Sequence, residues 1–206
     1  MKYLMISVVS CAPGYLAEAC THLTGVMRAL RADLPSVTAR FGSFMTGENA
    51  GSLALFHLYR DIADIEPAFD VYARSDDFKA MSASGQIGLS ERNLIKLEAV
   101  GLADPPPNPP SPDPPRFGVL THVSAPGALV EEVAALMPTY QAAGALAARY
   151  GTLLTGSHAG QRVLGVTYPS MASIEAAYDA LDQSAAYQDL LRQLTQGQRD
   201  IVRILG

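Results

Sequence analysis

Tryptophan is absent from this chain of 206 residues, and only two cysteines occur, Cys11 and Cys20. Their spacing matches neither a CxxC metal pair nor a disulfide framework, so we expect reduced thiols. Cys11 lies just before a predicted helix N-terminus, where the helix dipole can lower a thiol pKa, and this leaves a reactive role open. The P-loop, GxGxxG, HExxH and GxSxG motifs are also missing. We therefore expect no metal site and no cofactor.

Long apolar runs and basic runs are missing as well. No stretch approaches the 18 or so apolar residues that a membrane-spanning helix needs. The 20 acidic and 15 basic residues give a net charge of −5, and no Lys/Arg run could follow a phosphate backbone. The start, MKYLMISVVSCAPG, indicates a strand entering a helix rather than a signal peptide. We expect a cytoplasmic protein that binds neither nucleic acid nor membranes.

Proline, by contrast, is concentrated in one place. Residues 103–115 read ADPPPNPPSPDPP, which cannot supply the backbone donors of a helix or sheet and predicts an extended linker. A chain of this length and apolar content can form one large domain or two small ones. We predict one unit at residues 1–102 and a second at residues 116–206.

These two units share a sequence phrase. ARFGSFMTGENAG begins at Ala39, and ARYGTLLTGSHAG begins at Ala148. With an offset of 109 residues, about 15 of 40 positions are identical without a gap. Upstream, SCAPG ending at Gly14 pairs with VSAPG ending at Gly127. The chain is therefore predicted to be a tandem repeat.

Each unit also has the same order of periodicities. An apolar, β-prone run ends at a Pro-Gly and is followed by apolar residues at helical spacing. Two further strands flank the glycine-rich phrase, whose glycines suit a hairpin. One helix follows, in IEPAFDVYARSDDFKAM or SIEAAYDALDQSAAYQDLLRQL, and then a last strand. The prediction is an α+β fold of two ferredoxin-like βαββαβ repeats.

This pattern resembles the dimeric α/β-barrel superfamily, including NIPSNAP and antibiotic-biosynthesis-monooxygenase families. The resemblance rests on the glycine-rich hairpin before an apolar strand, on Tyr168-Pro-Ser, and on SIEAAYDAL followed by Tyr187. It implies two sheets packed face to face, with helices outside and a cavity between the sheets. Because both repeats lie in one polypeptide, it implies an intramolecular dimeric α/β barrel. A homo-oligomer of this pseudo-dimer stays open.

Two histidines are the candidate catalytic residues, because imidazole titrates near neutrality. His57 lies within a predicted strand and aligns with Val166 of the other repeat. His122 lies in the first strand of the second repeat and aligns with Val9. Each repeat thus has a polar group where the other is aliphatic, which indicates one specialised pocket. The alternative is a core histidine bonded to a backbone carbonyl.

Four apolar and aromatic residues are candidates for ligand binding. Met5 and Phe56 could line an apolar cavity, although such residues usually form the core. Tyr59 and Tyr168 align at the ends of corresponding strands, where they could form the cavity rim or anchor the fold.

Three functions follow as hypotheses. The first is a small-molecule protein that holds an apolar or aromatic metabolite, with cofactor-independent oxidation, isomerisation or cyclisation assisted by His57 or His122. The second is a non-catalytic binding or assembly module whose cavity is filled by its own side chains. The third is haem binding through either histidine, as in some relatives, although the absence of tryptophan weakens a match to haem-degrading proteins. The aligned Arg92 and Arg199 are expected to pair with acids near the last strand of each repeat.

Overall fold

A computed structural model describes residues 1–102 and 115–206. The strands are β1 (Tyr3–Cys11), β2 (Thr38–Phe44), β3 (Leu53–Tyr59), β4 (Ile87–Glu98), β5 (Phe117–Ser124), β6 (Ala147–Leu153), β7 (Arg162–Tyr168) and β8 (Gln196–Ile204). The α-helices are α1 (Leu16–Asp33), α2 (Ile65–Arg74), α3 (Asp76–Ala83), α4 (Val130–Ala142), α5 (Met171–Asp182) and α6 (Ala185–Leu191). None of the helices in these ranges combines the length and apolar character that crossing a membrane requires. The predicted linker, apart from Pro115, lies outside the described residues.

The strands close into an antiparallel barrel. Around the ring the order is β1, β3, β2, β8, β5, β7, β6 and β4, and β4 pairs with β1 to complete it. Strands β1 to β4 are adjacent to one another in this ring, and so are β5 to β8. Along the chain, each of these halves runs strand, helix, two strands, two helices, strand. The mixed helix and strand content is confirmed, in the form of one eight-stranded barrel with six α-helices among the described residues.

Both faces of the barrel wall are apolar, because the inner face packs in the barrel interior and the outer face is covered by helices. Alternate residues of a strand point to opposite faces. Leu4, Ile6 and Val8 of β1 join an apolar cluster inside the barrel, whereas Met5 and Val9 pack against the helices outside. The second half has its own outer cluster beneath α4, α5 and α6. Strands buried on both faces therefore explain the nearly continuous apolar runs in the sequence.

The single helix predicted after the third strand of each half is wrong in detail. In both halves the structure has two helices, and a serine stands immediately before the second one. The Ser75 hydroxyl accepts a hydrogen bond from the Phe78 amide, and the Ser184 hydroxyl accepts one from the Tyr187 amide. A serine that caps a new helix has extended backbone, which ends the helix before it.

The repeated phrase joins each half to the last strand of the other half. It forms the β2–β3 and β6–β7 hairpins, which lie beside β8 and β4. The Thr46 hydroxyl accepts a hydrogen bond of 2.8 Å from the Ile201 amide, and the Thr155 hydroxyl accepts one of 2.9 Å from the Leu94 amide. The threonine in each copy of the phrase therefore ties the two halves together.

The glycine after each threonine leaves room for a polar side chain of the other half. Gly47 and Gly156 have φ of 81° and 89°, in the left-handed region that favours glycine. A Cβ on Gly47 would overlap Asp200 Oδ1, and one on Gly156 would overlap Asn93 Oδ1. The Thr-Gly pair is thus required by contact between the halves as well as by the turn.

Candidate functional site

A cavity of about 470 Å³ lies between the outer face of the first-half sheet and helices α2 and α3. We call it the His57 cavity. Its volume falls in the range of small-molecule sites, and its lining is mostly apolar and aromatic. The lining residues that matter for the chemistry are Met5, His57, Tyr59, Phe69, Tyr72 and Arg92.

Strand alternation places His57 in this cavity. Leu55, His57 and Tyr59 share the outward face of β3, and His57 pairs with Met5 on β1. The helices that cover this face leave only 3% of His57 exposed. Of the sequence-predicted site residues, the structure therefore brings Met5, His57 and Tyr59 together.

His57 has one satisfied ring nitrogen and one that is not. Its Nε2 lies 2.6 Å from the Tyr72 hydroxyl, a short hydrogen bond. Its Nδ1 is buried and has no hydrogen-bond partner in the described part of the chain. A buried polar atom without a partner costs about 1–3 kcal/mol. Because His57 lines a cavity, a ligand or water there can provide the missing partner.

Burial keeps the groups around His57 neutral. It lowers the pKa of His57 to about 4, and the positive charge of Arg92 contributes to the same shift. Burial also raises the pKa of Tyr59 to about 12 and raises the pKa of Tyr72. The His57 ring stacks on Tyr59 with an interplanar angle of 17° and meets the Tyr72 ring edge-on. At neutral pH the cavity thus presents an uncharged imidazole–phenol pair.

Arg92 supplies a positive charge at the exposed rim. Its Nε donates a hydrogen bond of 3.0 Å to the Ser7 hydroxyl, and its guanidinium lies 4.8 Å from the centre of the Phe69 ring. Arg199, the aligned residue, donates to the Tyr187 hydroxyl. Within residues 1–102 and 115–206 neither arginine forms an ion pair, so the predicted pairing with acids is wrong. Each guanidinium instead lies over an aromatic ring, Phe69 for Arg92 and Tyr178 for Arg199, in a cation–π contact.

The second half contains a corresponding cavity with different chemistry. It measures about 400 Å³ and lies between the sheet and helices α4 and α6. Val166 is at the position of His57, as aligned in the sequence. The Arg199 guanidinium lies 5.1 Å from the Tyr178 ring and is 3.0 Å from the Tyr187 hydroxyl. This half therefore has no imidazole at the corresponding place, and the His57 cavity is the better candidate site.

The other predicted site residues lie elsewhere. Phe56 alternates with His57 and faces the barrel interior, where it packs on the inner apolar cluster. His122 shares the inward face of β5 with Leu120. Burial lowers its pKa, which the negative charge of Asp200 partly offsets. Tyr168 is buried in the outer core of the second half. The structure thus separates these three residues from His57.

The sequence alignment of His122 with Val9 is off by one residue. His122 pairs with Val163 on β7, and Val163 aligns with Ala54 in the repeat. Ala54 pairs with Val8, not Val9. β1 has nine residues, with a register shift between Val8 and Val9, and β5 has eight, so aligning the Pro-Gly pairs displaces the earlier parts of the two strands by one residue.

The thiols and potential metal ligands support no second site. Burial raises the pKa of Cys11 and of Cys20, which opposes the reactive thiolate that the sequence left open. No group of three or more His, Cys, Asp or Glu side chains in the described residues could hold a metal ion.

Fold and cavity together define the class: an antiparallel barrel with outer helices and a small-molecule-sized cavity beneath them. Similar structures include a proposed monooxygenase from Fusobacterium nucleatum, with a TM-score of 0.67 and 13% identity over 99% of this chain and 92% of the other. A variant of chlorite dismutase from Candidatus Nitrospira defluvii has a TM-score of 0.58 and 9% identity over 99% and 91%. A haem-binding protein from Thermus thermophilus has a TM-score of 0.59 and 11% identity over 100% and 91%. At such identities the similarity shows the fold alone.

The chain belongs to the family described as domain of unknown function DUF6854, whose model matches residues 1–97 and 115–204. No curated protein matches the sequence significantly.

Proposed function

We propose that the protein binds a small aromatic or apolar molecule with one polar group in the His57 cavity. The observation that carries this proposal is that His57 lines the cavity while its buried Nδ1 has no hydrogen-bond partner in the described residues. A ligand hydroxyl or carbonyl would complete the hydrogen bonding of His57. The ligand's apolar body would pack on Met5, Tyr59 and Phe78.

The same groups support proton transfer. Neutral His57 accepts a proton from a hydroxyl or an acidified carbon of the ligand, and the Arg92 charge at the rim stabilises the resulting anion. Isomerisation needs only this proton moved from one ligand atom to another. Oxygenation needs dioxygen as co-substrate in addition, and cyclisation needs a second reacting group within the ligand. We therefore place isomerisation first among the three reaction types.

The finer description of the fold belongs to this proposal. We infer that residues 1–102 and 116–206 are two ferredoxin-like repeats that form an intramolecular dimeric α/β barrel. The shared phrase, the common element order and the grouping of four strands per half support this view. Membership of the NIPSNAP or antibiotic-biosynthesis-monooxygenase families, the cytoplasmic location and a homo-oligomer stay predictions.

Two alternatives remain from the sequence. A binding module without catalysis would use the same cavity and lack the proton transfer. Haem binding draws on the haem-binding protein among the similar folds. The residues do not fit haem well, because Nε2 of His57 is bonded to Tyr72 and Arg92 is the single cation among the described lining residues. Iron ligation through Nε2 would require breaking the His57–Tyr72 bond, and we derive no step through haem.

Calorimetric titration with a matched pair of ligands tests the proposal. We expect 2-naphthol to bind about tenfold more tightly than 2-methylnaphthalene, because one hydrogen bond to a buried group contributes about 1–1.5 kcal/mol. His57→Val, which adopts the residue of the second half, should remove this preference while leaving binding of the hydrocarbon. His158→Asn is the matched control, since His158 is exposed and aligns with Asn49.

Two results would contradict the proposal. One is an unchanged preference for naphthol in His57→Val, and the other is no binding of either compound to the wild-type chain. The haem alternative is tested separately by the visible absorption spectrum of the purified protein during haem titration. The absence of any spectral change removes that alternative.

A further inference from the structure

The His57 cavity opens to solvent at the side where Arg92 lies. Phe69 and Leu89 line it and are 38% and 55% exposed, and Arg92 is exposed as well. His57, by contrast, is buried. All the residues that line this cavity lie between positions 5 and 92, within the described part of the chain. The cavity therefore combines a positively charged mouth that water reaches with a dry floor.

The strand register sets the distance between the two polar ends of this cavity. Arg92 pairs with Ser7 on β1, and His57 pairs with Met5 on the same strand. Since β1 lies between β3 and β4, the two side chains start two strand spacings apart and two residues apart along the strands. With strands about 4.8 Å apart and a rise of about 3.3 Å per residue, their Cα atoms are separated by roughly 12 Å. A ligand must be elongated to contact both residues.

Aromatic rings of helix α2 connect these two ends. The centre of the Tyr72 ring lies 5.7 Å from that of His57 and 6.3 Å from that of Phe69. The Arg92 guanidinium in turn lies 4.8 Å from the centre of the Phe69 ring. A continuous aromatic surface thus runs from the imidazole to the guanidinium, and flat ring systems pack well on such a surface.

Arg92 brings a charge that no acidic group of the cavity balances. Neither Asp nor Glu occurs among the described lining residues. The Nε of Arg92 donates to the Ser7 hydroxyl, whereas its two terminal nitrogens have no hydrogen-bond partner in residues 1–102 and 115–206. The terminal nitrogens of an arginine form a planar fork that matches a carboxylate. The mouth of the cavity therefore offers a site for an anionic group.

We propose that the His57 cavity binds an aromatic hydroxy acid, with the hydroxyl at His57 and the carboxylate at Arg92. This inference rests on the proposed function, which places one polar group of the ligand at Nδ1 of His57. At the mouth the carboxylate accepts hydrogen bonds from Arg92 and keeps part of its hydration, which avoids the large cost of burying an anion. Its ring system lies along Tyr72 and Phe69.

The size of the cavity fits two fused rings. One water molecule occupies about 30 Å³ in the liquid, so a cavity of about 470 Å³ accommodates on the order of fifteen non-hydrogen atoms. The compound 6-hydroxy-2-naphthoate has this size, and its hydroxyl and carboxylate stand at opposite ends of the rings.

A carboxylate at Arg92 also favours proton transfer to His57. Burial, and after it the positive charge of Arg92, lowers the pKa of His57. The carboxylate offsets the charge of Arg92, so the imidazole of the complex is a stronger base. When the hydroxyl of the ligand transfers its proton to Nδ1, the imidazolium that forms faces the new oxyanion. Arg92 then holds the carboxylate end of the same ligand.

Calorimetric titration with 6-hydroxy-2-naphthoate and its methyl ester tests the charge requirement, because the ester keeps the rings and the hydroxyl. We expect the wild-type chain to bind the acid about threefold to tenfold more tightly, as for a hydrogen-bonded ion pair at a partly exposed site. Arg92→Gln should remove this preference and retain the preference for 2-naphthol over 2-methylnaphthalene. Arg199→Gln, at the corresponding position of the second half, is the matched control and should change neither preference.

Ionic strength gives a second measurement that needs no variant. Raising NaCl from about 0.1 M to about 1 M shortens the Debye length from about 10 Å to about 3 Å. This should reduce the preference for the acid over the ester and leave the preference for 2-naphthol unchanged. A preference for the acid that does not depend on salt would contradict the role of Arg92, even if Arg92→Gln fails to fold.

The outcomes separate this inference from the proposed function. Equal binding of acid and ester, together with a retained preference for 2-naphthol over 2-methylnaphthalene, would overturn the inference and leave the proposed function intact. A missing preference for 2-naphthol in the wild-type chain would overturn both. A preference for the acid that is lost in Arg199→Gln and kept in Arg92→Gln would place the ligand in the second half, which also overturns the inference.

Discussion

Acidification from pH 7 to pH 4 is expected to destabilise the protein specifically through His57. The folded-state pKa of His57 is about 4, against an ordinary value of 6.5. Between these values the unfolded chain binds more protons than the folded chain. The contribution of the neutral, buried imidazole is therefore fully present above about pH 6.5 and is lost as the pH falls towards 4.

The size of this effect follows from the difference in pKa. Each unit corresponds to about 1.4 kcal/mol, and at pH 4 the folded imidazole is half protonated. The loss between pH 7 and pH 4 is thus about 3 kcal/mol from this one group. His57 is 3% exposed, so little solvent screening reduces the figure.

Urea unfolding at several pH values measures this contribution by difference. The comparison variant is His57→Val/Tyr72→Phe, which removes both partners of the buried hydrogen bond and leaves neither unsatisfied. Carboxyl groups titrate in both chains and cancel in the difference. His158→Asn serves as a control and should follow the wild-type curve. Parallel stability curves for the wild type and the double variant would refute the reasoning.

Three further substitutions, of which Gly51→Ala is a control, test by urea unfolding how the halves are joined. Gly47→Ala should cost about 2 kcal/mol or more, because the residue has positive φ and its Cβ would overlap Asp200, whereas Gly51→Ala has positive φ but free space and should cost about 1 kcal/mol. Equal effects would show that Asp200 imposes no constraint. Glu98→Gln should cost about 1 kcal/mol by removing the charge from a 2.7 Å ion pair with Arg162 that is only 14% and 25% exposed. An unchanged free energy of unfolding would contradict this.

The order of strands and helices could be predicted from the sequence because each element has a local pattern. The position of the cavity could not. In LALFHLY both sets of alternating residues are apolar, since the barrel interior covers one face and helices cover the other. The alternation of a strand therefore predicts that Phe56 and His57 lie on opposite faces of the sheet. It does not predict which of them faces the barrel interior. The resemblance implied a cavity between the sheets, whereas His57 lies beneath the outer helices.

The partners of His57 were missed for a related reason. Tyr72 reaches it from α2 and Arg92 from β4, so their meeting depends on how helix and sheet pack. One signal was available in the repeat. Arg92 and Arg199 occupy corresponding positions in the last strands, and an aromatic residue occupies the same position in the second helix of each half. Phe69 and Tyr178 are those aligned aromatics, and each lies under its arginine. Ser75 and Ser184 were also visible as potential helix caps.

The two seams between the halves determine how this barrel can open. The β2–β8 ladder contains three residue pairs and the β4–β6 ladder four, whereas β1 and β3 share seven. Both seams contain fewer residue pairs than the β1–β3 ladder, so we expect local opening of the ring to begin at a seam between the halves. Ile204 pairs with Gly42 in the β2–β8 seam and also lines a cavity of about 350 Å³ that is separate from the His57 cavity. Parting of β2 and β8 would widen this cavity without unfolding either half, so we expect the barrel interior to become accessible at a seam between the halves.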